Sequence, residues 1–329
     1  MKKIILLISI SMIFFESQSQ ERTVSQDNAA KFMEAYFSPI GESFGAGMNN
    51  GWYNTAKPHK LLGFDVTLTL NLVSVPNEMQ HFNPKDIPNF DPKTDDDNIS
   101  PTILGSGEGA TIIYESSSPE TSFEFTMPNQ GILKTNLIPV PMINAGIGLV
   151  KQTELDVRYL PKYNFDMGFL GKGSMGLWGL GVKHDLLQWI PVVGNVIPIS
   201  LSIQAGHTQF NTSFSVKDPN SSLDQKINLN INATTVNLIA SKKLLMITAY
   251  AGIGYNSSIT TFNSNTSFNI GSGTDYATMN VPLDLNFKTQ NAFKTNIGLR
   301  FNFAIIALQA NHTFSKYPVT TLGIGVGLR

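Results

Sequence analysis

Phe64-Asp65-Val66-Thr67-Leu68-Thr69-Leu70-Asn71-Leu72 places five apolar residues on one side of the chain and Asp65, Thr67, Thr69 and Asn71 on the other. A period of two is the signature of a β-strand with one apolar and one polar face. The pattern returns along most of the sequence. Ile227, Leu229 and Ile231 alternate with Asn228, Asn230 and Asn232, Ile297, Leu299 and Phe301 with Asn296, Gly298 and Arg300, and Leu322, Ile324 and Val326 with Gly323, Gly325 and Gly327. Charged residues make up 14% of the chain, against about 25% in ordinary soluble proteins. After the first 19 residues, no apolar run reaches the roughly 18 residues that mark a membrane helix. A backbone in hydrocarbon must satisfy its own hydrogen bonds, so without helices it spans as a closed barrel. The predicted fold is all-β: a transmembrane antiparallel β-barrel of about 12 to 14 strands, its apolar face toward lipid and its polar face toward a lumen.

The ends divide the chain into three parts. Lys2 and Lys3, the apolar run from Ile4 to Phe15, and Ser17-Gln18-Ser19 read as a secretory signal peptide over residues 1–19, too short to span as a helix. Cys is absent, which excludes a disulfide framework, a lipid-modified cysteine and thiolate metal ligation. Residues 20–59 are predicted to form an N-terminal helical plug. Ala29, Phe32, Met33, Tyr36, Phe37 and Ile40 recur at helical spacing within 28–44, with a break near Pro39. The turn-rich stretch after the helix supplies Trp52, Tyr53 and Asn54 as plug candidates, and the two rings also suit a membrane-interface girdle. Residues 60–329 are the predicted barrel.

Within the barrel, Asp65, Glu154, Asp156, Arg158, Lys294, Asn296 and Arg300 fall on the polar face and are the lumen-facing candidates. Gly179, Gly181 and Lys183 share that face, where glycine lets a plug approach closely. Strands are predicted near 103–115 and 121–127, with the glycines of Leu104-Gly-Ser-Gly-Glu-Gly109 facing the lumen. Segments 76–101 and 256–278 read as long outer loops. In the first, Lys93-Thr-Asp-Asp-Asp-Asn98 lacks the alternating ligands and glycine of a calcium loop. The five histidines show no paired metal spacing. His312, near Ser315, has no assignable nucleophile and orienting partner. Neither an enzyme nor a cofactor is expected, and a whole-chain net charge of -1 excludes a nucleic-acid surface.

Asn50-Gly51-Trp52-Tyr53-Asn54-Thr55-Ala56, followed by Leu62-Gly63-Phe64-Asp65 at the start of the first strand, resembles an uncharacterised family of outer-membrane barrels from Bacteroidota. More distantly, the segment is similar to the long-chain fatty acid and aromatic hydrocarbon transporter family, with Asn54-Thr55-Ala56 standing where that family has Asn-Pro-Ala. The resemblance implies a passive channel in the cell outer membrane for small hydrophobic molecules, gated by a plug. Its expected partners are outer-membrane lipid, a small hydrophobic ligand and the outer-membrane assembly machinery. A non-transporting structural or secretion-associated barrel is the alternative, and a soluble periplasmic β-sandwich the third.

Overall fold

The computed structural model describes residues 23–328 apart from 116–121, 130–135, 167–171, 191–197, 218–223, 265–267, 273–274 and 280–282. The expected leader, residues 1–19, lies outside the described residues. Ten strands close one antiparallel barrel: β1 (Phe64–Ser74), β2 (Leu137–Leu149), β3 (Thr153–Asp166), β4 (Lys172–Asp185), β5 (Ser200–Lys217), β6 (Asp224–Leu244), β7 (Ile247–Ser264), β8 (Leu283–Phe303), β9 (Ile306–Phe314) and β10 (Val319–Leu328). β10 closes on β1, with Leu322 opposite Leu70. A single sheet that closes on itself has no second sheet to pack against, which excludes the soluble sandwich.

The strand number corrects the expected 12 to 14, for two physical reasons. Two strands are expected over 279–289 and 291–303, but Leu283–Phe303 is a single strand, β8, whose pairing with β7 is adjusted by a register shift between Asn256 and Ser258. The segments near 103–115 and 121–127 shorten to Thr111–Tyr114 and Phe123–Thr126, which join Phe90–Pro92 in a small sheet outside the barrel. The glycines of 104–109 therefore lie in a loop of this cap, not on a lumen-facing strand. A Cβ at Gly105 or Gly109 would stand 1.9 Å from the carbonyl oxygen of Gln80 or Met127, so glycine here permits close backbone contact. The acidic run at 95–98 forms a short helical turn in this cap. Modest burial pushes the Asp97 carboxyl up, but hydrogen bonds from Thr111 and Thr94, with the Lys93 charge, outweigh it and hold the group below its ordinary range.

On β1, Phe64, Val66 and Leu68 face outward and are exposed, while Thr67, Thr69 and Asn71 face inward and are buried. The same parity holds on β8, where Phe293, Ile297, Leu299, Phe301 and Phe303 are exposed and Lys294, Asn296 and Arg300 are buried. From Phe293 to Phe303 the strand rises roughly 33 Å, and a tilt of about 40° makes the apolar band about 25 Å tall, the height of a barrel's lipid-facing belt. Among the described residues no helix is long and apolar enough to cross a membrane; the crossing is made by strands.

Tyr159, Trp178, Tyr255 and Phe293 stand exposed at the belt's upper edge, and Trp189, whose Nε1–H donates to His184 Nε2 at 2.8 Å, at its lower end. Leu299→Arg is expected to cost about 2–4 kcal/mol of insertion free energy, because the guanidinium would sit in hydrocarbon. Asn232→Arg, also outward but above the belt, should change it by less than about 0.5 kcal/mol. Folding yields into lipid vesicles measure both, and equal yields would refute the belt's position.

β6 shows where the belt stops. From Ile227 to Ser241 its odd-numbered residues face inward, yet the apolar residues change sides. Val236 and Leu238 point outward in the lower half, whereas Ile227, Leu229 and Ile231 point inward in the upper half and leave Asn228, Asn230 and Asn232 outside. Below the switch the strand faces lipid outside and polar groups inside; above it, water lies outside and an apolar core inside. This overturns the sequence reading of those asparagines as lumen residues.

The core is built around α1 (Gln26–Met48), which lies inside the barrel and runs through Pro39 instead of breaking there. Pro39 and the glycines at 41, 45 and 47 each weaken a free helix, by about 3 and about 1 kcal/mol respectively. Burial of Phe32, Met33, Tyr36, Phe37 and Met48, at roughly 1.5–3 kcal/mol each, exceeds that cost. Packing also explains the glycines, since a Cβ at Gly41 would meet Thr260 at 2.6 Å and one at Gly47 would meet Val140 at 2.6 Å. Gly41 and Gly47 thus let the helix lie against the wall.

The two- and three-residue turns 150–152, 245–246 and 304–305 share one end of the barrel with the segment 186–199, and the longest segments, 75–136 and 265–282, share the other with the short connection 315–318. At the long-loop end Thr23–Val24 pairs with Thr278 and Met279, and Phe32 packs against Phe82, Phe90 and Phe125 of the cap. The chain therefore enters the lumen from the long-loop end. It descends as α1, continues as a linker over residues 49–63 and starts β1 at the short-turn end.

Candidate functional site

Where α1 ends, the barrel wall completes its backbone hydrogen bonding. A helix leaves its last four carbonyls without intrahelical donors. Here Asn49 N–H donates to Gly45 O at 3.1 Å, Asn50 Nδ2 to Ala46 O at 2.8 Å and Asn71 Nδ2 of β1 to Gly47 O at 2.8 Å. Arg158 of β3 donates through Nη1 to Met48 O and through Nη2 to Asn50 O, and its Nε–H reaches Asn144 Oδ1 at 2.7 Å. Lys294 of β8 donates to Asn49 O at 2.8 Å. Two cations thus meet the negative end of the helix dipole, both fully enclosed, with Arg158 0% and Lys294 3% exposed.

Trp52 lies directly below. The Arg158 guanidinium sits 3.6 Å from its ring centroid, a cation–π contact. The indole also rests on a wall without side chains, since a Cβ at Gly181 or Gly206 would stand 2.7 or 2.4 Å from it. Trp52 and Tyr53 are buried in the lumen, which corrects their reading as an interfacial girdle. Gly206→Val is expected to displace the indole at a cost of about 1–3 kcal/mol. In a Trp178→Phe/Trp189→Phe background, the Trp52 emission should then shift to the red; an unchanged spectrum would refute the seat.

The linker is fastened further down. Arg300 donates to Asn54 Oδ1, Thr55 Oγ1 lies 3.1 Å from Ser241 Oγ, and Ser202 Oγ donates to Ala56 O. The backbone N–H of His59 and its Nδ1 both lie 2.7 Å from Glu154 Oε2, while Lys183 Nζ donates to Glu154 Oε1 at 2.6 Å. Asp65 approaches His59 Nε2 at 3.6 Å, and Asp156 is buried beside this group. Asn296 donates to Asn311 Oδ1 and Thr313 Oγ1, both at 2.9 Å, and Thr313 in turn donates to Asn50 Oδ1 at 2.8 Å.

The structure therefore places all seven lumen-facing candidates on the inner wall and the three plug candidates among them. Sequence reading missed that Arg158, Lys294 and Arg300 hold backbone or side-chain oxygens of the plug. It also missed His59, in a linker without periodicity, and gave Lys183 no partner although its inward parity was readable.

The family model that matches residues 1–328 is described as a family of unknown function, DUF6588. The chain belongs to that family. Comparison with curated proteins finds no match. Among solved structures, the chain is similar to the translocator domain of the autotransporter NalP from Neisseria meningitidis at 10% identity and a TM-score of 0.35, covering 93% of this chain and 100% of that one. It is similar to the β domain of the Bordetella autotransporter BrkA at 10% identity and a TM-score of 0.35, covering 81% and 98%. The CymD monoaromatic hydrocarbon channel follows at 7% identity and a TM-score of 0.26, covering 81% and 88%.

Proposed function

We propose that this DUF6588 member is an outer-membrane barrel that passes small hydrophobic molecules when its N-terminal segment shifts, and that the plugged form is its closed state. The observation that supports this reading is the division of the lumen into two chemistries. The upper wall presents Val140, Met142, Phe210, Ile227, Leu229 and Phe262 to α1, so a displaced helix would leave an apolar chamber facing outward. The lower wall is the polar clamp, which acts as the door. Outer-membrane lipid surrounds the belt, insertion falls to the outer-membrane assembly machinery, and no catalytic or cofactor chemistry is part of the reading.

The test exploits the absence of native cysteine. Thr55→Cys/Ser241→Cys should crosslink the linker to the wall on oxidation, since the native hydroxyl oxygens are 3.1 Å apart. In cells carrying this variant, uptake of the hydrophobic dye N-phenyl-1-naphthylamine should stop on oxidation and return on reduction. Uptake that does not depend on the protein, or that ignores the crosslink, would refute the channel.

One observation favours the alternative of a barrel serving surface attachment or secretion. Thr23 sits at the long-loop end, the outer side in barrels whose short turns face the periplasm, so any preceding segment would emerge there. An epitope inserted ahead of Thr23 is expected to be labelled by antibody on intact cells; labelling only after permeabilisation would reverse the orientation.

A further inference from the structure

Above the belt, the outward face of β5–β7 is made mostly of uncharged amides and hydroxyls, with His207 and Ile259 among them. The strand register puts Ser213, Asn228 and Asn263 in one row and Asn211, Asn230 and Thr261 in the next. Rows on one face are about 6.8 Å apart and neighbouring strands about 4.8 Å apart, so the carboxamides form a regular polar lattice. Outward positions 207–213, 228–234 and 257–263 hold no Asp, Glu, Lys or Arg, where an ordinary solvated surface would carry about one charge in four. Among the described residues, the side chains of Asn211, Asn228, Asn230 and Asn263 have no protein hydrogen-bond partner. Each offers two donors and one acceptor oxygen.

The lattice floors a concavity of about 690 Å³ that also reaches Tyr159, Lys162 and Trp178. Tyr159 is 59% and Trp178 44% exposed, and Trp178 Nε1–H donates to Gln209 Oε1 at 3.0 Å. These rings mark the upper edge of the apolar belt, so the polar lattice continues the lipid-facing surface without a gap.

We propose that this face binds the saccharide headgroup of a membrane glycolipid whose acyl chains lie along the belt below. Neutral carboxamides pair with sugar hydroxyls, which both donate and accept. Trp178 and Tyr159 offer flat apolar faces to the C–H side of a sugar ring at the depth where headgroup meets hydrocarbon. The belt's continuity with the lattice selects a lipid-linked sugar over a free one. The assignment does not depend on whether the barrel conducts.

The test uses the full chain, purified in detergent, with three probes: rough lipopolysaccharide, which carries core sugars; lipid A, which does not; and the free core oligosaccharide. Binding is read by native mass spectrometry and by titration. Rough lipopolysaccharide is expected to bind at least tenfold more tightly than either other probe. Asn211→Ala/Asn228→Ala/Asn230→Ala/Asn263→Ala should remove that advantage while the folded barrel keeps its gel mobility. Equal binding of rough lipopolysaccharide and lipid A, equal binding of the free oligosaccharide, or an unaffected variant would each overturn the proposal. So would a wild-type dimer that the same substitutions dissociate, because the face would then be an interface between copies.

Discussion

Arg158→Leu is expected to turn a silent barrel into a conducting one. Leucine keeps much of the buried volume but removes the donors to Met48 O, Asn50 O and Asn144 Oδ1, and the cation over Trp52. Each buried acceptor left unsatisfied costs about 1–3 kcal/mol. Eliminating a buried cation returns part of that as relieved desolvation, so the net weakening of plug docking should be about 3 kcal/mol. At about 1.4 kcal/mol per factor of ten, the unplugged population rises roughly hundredfold. The barrel itself should survive, since its ladder and belt do not involve this side chain. Single-channel recordings in planar bilayers should show rare or no openings in the wild type and frequent openings in the variant, with heat-modifiable gel mobility retained in both. Arg158→Lys should fall between them, because an ammonium keeps the charge but loses the planar fork that spans two carbonyls and stacks on the indole. Silent recordings from Arg158→Leu would mean that the apolar contacts of α1 hold the plug without the clamp.

The parity of each strand was legible in the sequence because alternation is local, and a strand's two faces follow from neighbouring residues alone. The two faces of β1, of β10 and of the Phe293–Phe303 part of β8 follow for that reason. What alternation cannot report is which face looks inward, since lipid outside and an apolar plug inside favour the same residues. β6 carries both cases on one strand, and Asn228, Asn230 and Asn232 were consequently put in the lumen. The missed β7–β8 register shift and the outer cap had a related cause. Strands that continue beyond the belt lose their apolar outer face, so their polar ends resemble loops.

The plug was partly readable from the helical spacing of Phe32, Met33, Tyr36 and Phe37, and Pro39 suggested an end that the enclosing wall overrides. The clamp was not readable, because its acceptors are backbone carbonyls, which every residue possesses. Arg158, Lys294 and Arg300 announced themselves as buried charges on an inward face. Carboxylate partners were the natural expectation, and the structure instead gives Arg158 and Lys294 the negative end of a helix. Such partners appear only once the helix is known to stop at Met48, level with those strand positions.

The same logic makes Glu154→Ala strongly destabilising, and here a second substitution should restore what the first removes. Glu154 bridges Lys183 at 2.6 Å and the His59 backbone and ring at 2.7 Å, with the Lys183 side chain only 1% exposed. Breaking one partner of a buried pair costs about 3–5 kcal/mol, because the other charge stays buried without compensation. Asp156, which lies beside Glu154, takes over part of the lysine's field, so the loss should be near the lower bound, about 3 kcal/mol. The damage differs in kind from that of Arg158→Leu, since it frees the linker near His59 while α1 keeps its capped end. Urea unfolding from micelles should show a lowered midpoint, and protease added on the short-turn side should cut within residues 54–62. Glu154→Leu/Lys183→Met removes both charges and keeps the volume, and should recover at least half of the lost stability. The His59 N–H would still lack its acceptor, so protease sensitivity should persist in the double variant. A double variant no more stable than Glu154→Ala would show that the pair contributes nothing as a pair, and that the linker alone accounts for the loss.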